Sequence, residues 1–218
     1  MVSDVAYALS PAEMLRSVGA SHDTLGKHRM KLIDVVAHVD KLTNGAPAVV
    51  VGGLAQMLWA RKTHTDDLDL ALATSDLQEA YRRVRIRAAG AGWALPRPLH
   101  RAHEENEVFE VCHLLYRGSV VDLLSFRDAA FTAEILSTAR VVPELRGIRF
   151  IRPELLLVTH LLRPTPAAAL AAVELLLARR AANDLDEAYA ARWSEQLGKK
   201  AAFERALRRA ADLAGEDV

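Results

Sequence analysis

Two adjacent glycines, two aspartates one residue apart and a third aspartate further on are the residues of this chain whose types and spacing could do chemistry. Gly52-Gly53 break the run "PAVVVGGLAQMLW", and Asp67 and Asp69 stand in "TDDLDLAL". Glycines at a strand-to-helix junction let a ligand approach the backbone, and the free N–H groups of the first helical turn make that place suitable for phosphate. Two carboxylates two apart on a strand project from one face. Desolvated and side by side they repel each other, so a positive partner is required. Asp122, in "SVVDLLSF", is a third carboxylate in an apolar strand. A divalent cation next to a phosphate site points to a metal-bound nucleotide, and three converging carboxylates would complete a two-metal site.

The elements that must position these groups can be read from periodicity. "PAVVV" is short, β-branched and preceded by the turn "TNGAP", as a buried strand is. "LAQMLWARK" reads as a helix and "DLDLALA" as a second strand. "SDLQEAYRRVRIRAAGAG" then reads as a crossover helix, with Ser75 as N-cap and glycine as its stop. "EVFEVCHLLYRG" and "SVVDLLSF" read as two strands turning at Gly118-Ser119, followed by a helix over 127–137 and extended pieces at "ARVV" and "GIRFI". Apolar spacing predicts an amphipathic helix over 22–42, which leaves residues 1–20 as a weakly determined arm.

From Pro153 the pattern is helical throughout, with Pro153 suited to a first helical position. The expected division is therefore an N-terminal helical arm (1–45), a mixed α/β core (46–150) and a C-terminal helical part (151–218). The fold class is α/β (α+β), a mixed sheet with flanking helices.

The chain has 218 residues, half of them hydrophobic, and a formal net charge of zero. Its composition carries no basic signature for nucleic acid, so such a contact would need a local patch. Cys112 is the one cysteine, which excludes an intramolecular disulfide and suits a reducing compartment. The first residues lack a basic start followed by an apolar run, and "AAALAAVELLLA" is too short to cross a bilayer, which needs roughly 20 apolar residues. A cytoplasmic protein without membrane contact is expected.

Strand, Gly-Gly, helix, Asp-hydrophobic-Asp and a later strand Asp, taken in that order over 49–126, resemble the polymerase β-like nucleotidyltransferase superfamily. The stretch "VGGLAQMLWARKTHTDDLDLAL" is similar in particular to small bacterial AbiEii-type toxin nucleotidyltransferases. The resemblance implies a nucleotidyltransferase core and transfer of a nucleoside monophosphate from a nucleoside triphosphate (NTP) to a hydroxyl, with release of pyrophosphate. It implies that Gly52, Gly53, Thr65 and Arg163 serve the triphosphate. Asp67, Asp69 and Asp122 hold Mg2+ or Mn2+, Asp122 also accepts the proton of the attacking hydroxyl, and Asp184 matches an acidic residue of a later motif. Partners implied are tRNA or another nucleic acid and a cognate antitoxin protein. Where many relatives carry a lysine, "PELLLVTHLLR" has His160, so the cation for the leaving phosphates is His160, Arg163 or absent. Thr63 stands where relatives have arginine.

An aminoglycoside nucleotidyltransferase is the alternative enzyme, and it would require an acidic cleft for its cationic acceptor. A non-catalytic nucleotide-binding or partner module is the alternative of another class, against which the three carboxylates count and for which the missing lysine counts. His100 and His103 have a spacing seen in metal sites but lie in a polar segment and read as surface residues. Cys112 reads as core, and Arg82, Arg83, Arg85 and Arg87 as a solvated face. Arg179 and Arg180 read equally as a nucleic-acid contact or as an ion pair between the core and the helical part.

Overall fold

The computed structural model of the chain describes residues 32–60, 65–95, 100–101 and 108–215. The arm over 1–20, residues 22–31 of the expected first helix, Arg61, Lys62, Thr63 and His103 lie outside the described residues. The segment of His100 reads in sequence as a loop but pairs as a short strand with Val111, and only its backbone is described.

The elements follow the sequence closely: α1 (Leu32–Thr43), β1 (Val49–Val51), α2 (Gly52–Trp59), β2 (Asp67–Ala71), α3 (Thr74–Ala91), β3 (Trp93–Ala94), β4 (His100–Arg101), β5 (Phe109–Tyr116), β6 (Ser119–Phe126), α4 (Ala129–Thr138), β7 (Arg140–Val142) and β8 (Ile148–Phe150). After Phe150 come α5 (Pro153–Leu162), α6 (Pro166–Ala181), α7 (Glu187–Gln196) and α8 (Lys200–Ala214). The sheet runs β3-β5-β6-β2-β1-β8-β7, with β4 also paired to β5. It is mixed: β2 is parallel to β6 and antiparallel to β1, and β1 is parallel to β8.

Three local expectations are corrected. Helix α3 starts at Thr74 after the uncapped Ala73, so Ser75 is inside the helix, while the Thr74 hydroxyl lies 2.9 Å from Ser125 Oγ on β6. The fourth helix starts at Ala129 because Asp128 caps it, accepting from the Phe131 N–H at 2.8 Å. The β5–β6 turn is Arg117-Gly118, one residue earlier than expected. Both residues have positive φ (47° and 85°), the backbone that a two-residue hairpin turn of matching twist requires.

Helix α2 is buried on almost every side, which is why its sequence is apolar all round. Trp59 at its end is fully buried, and its indole N–H donates to the Ile151 carbonyl at 2.7 Å. The core is continuous from the sheet (Val50, Leu70, Leu123, Phe150) through α2 into α5, α6 and α7 (Leu156, Leu176, Trp193). Each fully buried large side chain contributes about 1.5–3 kcal/mol, so the helices after Phe150 are held by the same core as the strands. A polar tie reinforces this: buried Glu154 accepts from Arg152 Nε at 3.1 Å and from the Asp186 backbone N–H at 3.2 Å, joining α5 to the start of α7.

Candidate active site

The parallel register of β2 and β6 places Asp69 opposite Asp122, and the antiparallel register of β1 and β2 places Val51 opposite Asp69. The tight Arg117-Gly118 turn fixes the β5–β6 register, which places His113 opposite Asp122. One row thus crosses four neighbouring strands, reading His113, Asp122, Asp69, Val51, and the chain turns into α2 at Gly52 directly after it. Strands stand about 4.8 Å apart, so the carboxylates of Asp69 and Asp122 are neighbours on one face. Asp67, two residues before Asp69, shares that face. Val120, opposite Asp67, is 40% exposed, so this end of the face is open to solvent.

The carboxylates differ in their surroundings. Asp69 is 7% exposed and accepts from the Gly53 backbone N–H at 3.3 Å. Burial, and after it the nearby Asp67 and Asp122, push its pKa up from 3.8 to about 6, against the opposing pull of Arg163 and the Gly53 N–H. Asp67 Oδ1 accepts from the Thr65 hydroxyl at 2.7 Å. Asp122 Oδ1 lies 2.8 Å from His113 Nδ1.

Gly52 is required where it stands. Its φ is +58°, and a β-carbon there would fall 1.9 Å from Asp69 Oδ2. Helix α2 begins here with no side-chain cap, so the end of the helix that favours negative charge opens beside the carboxylate row.

The structure brings Gly52, Gly53, Thr65, Asp67, Asp69 and Asp122 together at one end of the sheet. Arg163, at the end of α5, joins them: it is close enough to Asp69 to oppose the rise in its pKa, and its guanidinium stacks over the Phe109 ring at 5.6 Å. His160 does not take that role. It is buried in α5, with Nε2 3.0 Å from Gln56 Oε1, while Gln56 Nε2 donates to the Ala171 carbonyl. Asp184 is not brought to the row either. It lies 3.5 Å from Arg179 and 3.6 Å from Arg140. Both arginines sit over Trp59, at the opposite end of α2 from the glycines, and Arg140 belongs to the edge strand. Arg180 is bound to Glu187 through two hydrogen bonds. Both arginines are thus in ion pairs, but with Asp184 and Glu187 of the helical part itself; it is Arg140 that ties the core to Asp184.

His113 is the residue of this site that sequence reasoning missed. The only signal available was its alternation with Val111 and Leu115 on β5, and its partner follows from register alone. Cys112 faces the other side of β5 and is buried, and burial, with Asp122 nearby, pushes its thiol up to about 12, so it is not a nucleophile. Arg82 and Arg83 pair with Glu79 on the exposed face of α3.

Among the described residues no three His, Cys, Asp or Glu side chains form a ready-made metal cage. The donor set nevertheless fits a hard divalent cation: it consists of carboxylates with an open approach, and the buried Asp69 is left needing positive charge.

No family model matches the chain, and no curated protein sequence matches it. Among solved structures, the fold is similar to that of the Megavirus polyadenylate synthase, with 12% identity and a TM-score of 0.42 over 77% of this chain and 34% of that one. It is similar also to ANT(2")-Ia in complex with adenylyl-2"-tobramycin, with 13% identity and a TM-score of 0.42 over 83% of this chain and 99% of that one. The chain thus spans about a third of the length of the Megavirus protein. No helix among the described residues is long and apolar enough to cross a membrane.

Proposed function

We propose that the chain is a metal-dependent nucleotidyltransferase that moves a nucleoside monophosphate from a nucleoside triphosphate to a hydroxyl of a nucleic acid, with tRNA the foremost candidate, in a toxin-like role that would pair it with a cognate antitoxin. The observation that carries the reading is the in-register pair Asp69 and Asp122 beside the glycine turn into α2. Among the described residues Arg163 and His113 are basic side chains that meet these carboxylates, and a cation brought by the ligand would meet them further.

The glycine turn at Gly52 and Gly53 lets the phosphates approach the backbone at the start of α2, with the Gly53 N–H itself donating to Asp69. Arg163 adds a positive charge on the same side. Thr65 holds Asp67 in place through its hydroxyl. Mg2+ or Mn2+, when bound by Asp67, Asp69 and Asp122, supplies charge for the attacking and departing oxygens. The acceptor oxygen forms a bond to the α-phosphorus as the bond to the β-phosphate oxygen breaks, and pyrophosphate leaves. The hydroxyl proton passes to Asp122, whose Oδ1 is steadied by His113, so its other oxygen is the one to take it. The chain's own part is positioning and charge compensation.

Manganese binding followed by its paramagnetic signal, with and without ATP, tests the reading. ATP should tighten manganese binding to the wild-type chain and leave binding to Asp69→Asn weak. Manganese binding that ignores both ATP and the substitution would contradict it.

A further inference from the structure

Beyond the carboxylate row, a groove of 920 Å³ opens between the α5–α6 corner and α8. Arg163, Lys199, Arg205, Arg208 and Arg209 line it, with Asp212 as the one acidic residue of the lining, and Arg163 is also close enough to act on Asp69 of the carboxylate row. Arg205, Arg208, Arg209 and Asp212 recur at spacings that put them on one stripe of α8. Phe203 and Ala210 on the other side of that helix are buried in the core. The stripe is therefore fixed in place by packing.

Among the described residues many other basic side chains are engaged: Arg82 and Arg83 by Glu79, Arg146 by Asp34, Arg179 by Asp184, Arg180 by Glu187 and Lys200 by Glu195. Lys199, Arg205, Arg208 and Arg209 form no ion pair among the described residues. The groove also borders the start of α6 at Thr165 and Pro166, a further place where negative charge is favoured. A wall this basic repels a polycationic acceptor and attracts a polyanionic one. From 201 to 212 the helix rises about 16 Å, the span of several phosphates at about 3.4 Å each along a stacked strand.

We propose that this groove binds the phosphates of the acceptor, a polynucleotide strand whose reacting hydroxyl is led past Arg163 to Asp122. The direction of travel rests on the nucleotidyl-transfer reading, whereas the binding itself does not.

The test measures fluorescence anisotropy of an end-labelled twelve-nucleotide single strand, as RNA and as DNA, titrated with the full chain in metal-free buffer over a range of salt. The expected result is binding that weakens with salt. R205Q/R208Q/R209Q should lose affinity tenfold or more and flatten the log–log salt slope by about 2, since each phosphate contact of a single strand is worth about 0.7. R205K/R208K/R209K should keep most of the affinity, because it keeps the charge. All three positions are exposed, and equal thermal midpoints would show that the fold is unchanged. Wild-type affinity in the glutamine variant would overturn the proposal. So would equal affinity for poly-glutamate, or loss of manganese–ATP binding in place of strand binding. Strand binding without any transfer activity would sink the enzymatic reading and leave the groove standing.

Discussion

Gly52 and Asp69 are so close that no other residue fits at position 52: a β-carbon there would lie 1.9 Å from the Asp69 carboxylate oxygen, and the φ of +58° disfavours any side chain. Gly52→Ala should therefore cost roughly 2–4 kcal/mol, combining backbone strain with overpacking against a buried side chain. Urea denaturation measures this. An unchanged midpoint would mean that the turn into α2 is looser than this geometry.

Stability should depend on pH through Asp69. Its folded pKa of about 6 lies above the ordinary 3.8, so the folded chain holds this proton more tightly than the unfolded chain. The stabilisation is complete below about pH 4 and is lost as pH rises through about 6. The full shift is worth about 3 kcal/mol. In metal-free buffer the stability difference between wild type and Asp69→Asn should move against the wild type over that window, while the amide oxygen of the variant still accepts from Gly53. Parallel pH profiles would contradict the assignment.

Removing His113 should loosen Asp122. Its ring nitrogen, 2.8 Å from Asp122 Oδ1, orients a carboxylate that would bind the cation, and partners of that kind are worth about 10–100-fold in metal affinity. His113→Ala should weaken manganese binding by about tenfold with little change in the thermal midpoint. Tighter binding would mean that the histidine competes with the metal for Asp122.

Arg179 should matter for stability and not for the acceptor. Its side chain is 2% exposed, lies 3.5 Å from Asp184 and sits over Trp59. Arg179→Ala leaves Asp184 with Arg140 alone in a partly buried cluster, at a cost of about 3 kcal/mol. The salt dependence of strand binding should be unchanged in any folded fraction. A shallower salt slope would return Arg179 to the nucleic-acid surface.

Much of the core was legible because its signals are local. A β-branched run, two glycines, a helical stretch and an alternating strand predicted β1, α2 and β2 and put Asp67 and Asp69 on one face. The pairing of His113 with Asp122 depends on register, which a single strand does not contain. Placing the turn at Gly118-Ser119 would set Leu115 opposite Asp122, and only the positive φ values of Arg117 and Gly118 bring His113 there. The basic run at Arg179 and Arg180 reads in sequence equally as a nucleic-acid contact or an ion pair, because nothing local shows that α6 rotates Arg179 into the core. His160 occupies a position that a lysine holds in the resembling family, but its partner Gln56 lies 104 residues away and no local pattern announces it. Arg205, Arg208 and Arg209 of α8 face a groove that no local pattern announces, because the α5–α6 corner makes its other wall.

The central claim is tested most directly by incubating the chain with magnesium, each α-phosphate-labelled nucleoside triphosphate in turn and total tRNA, then resolving the RNA. Label should enter RNA with release of pyrophosphate, Asp69→Asn and Asp122→Asn should each abolish incorporation, and chelating the metal should do the same. Unlabelled RNA with all four triphosphates, or incorporation that survives loss of either aspartate, would contradict it.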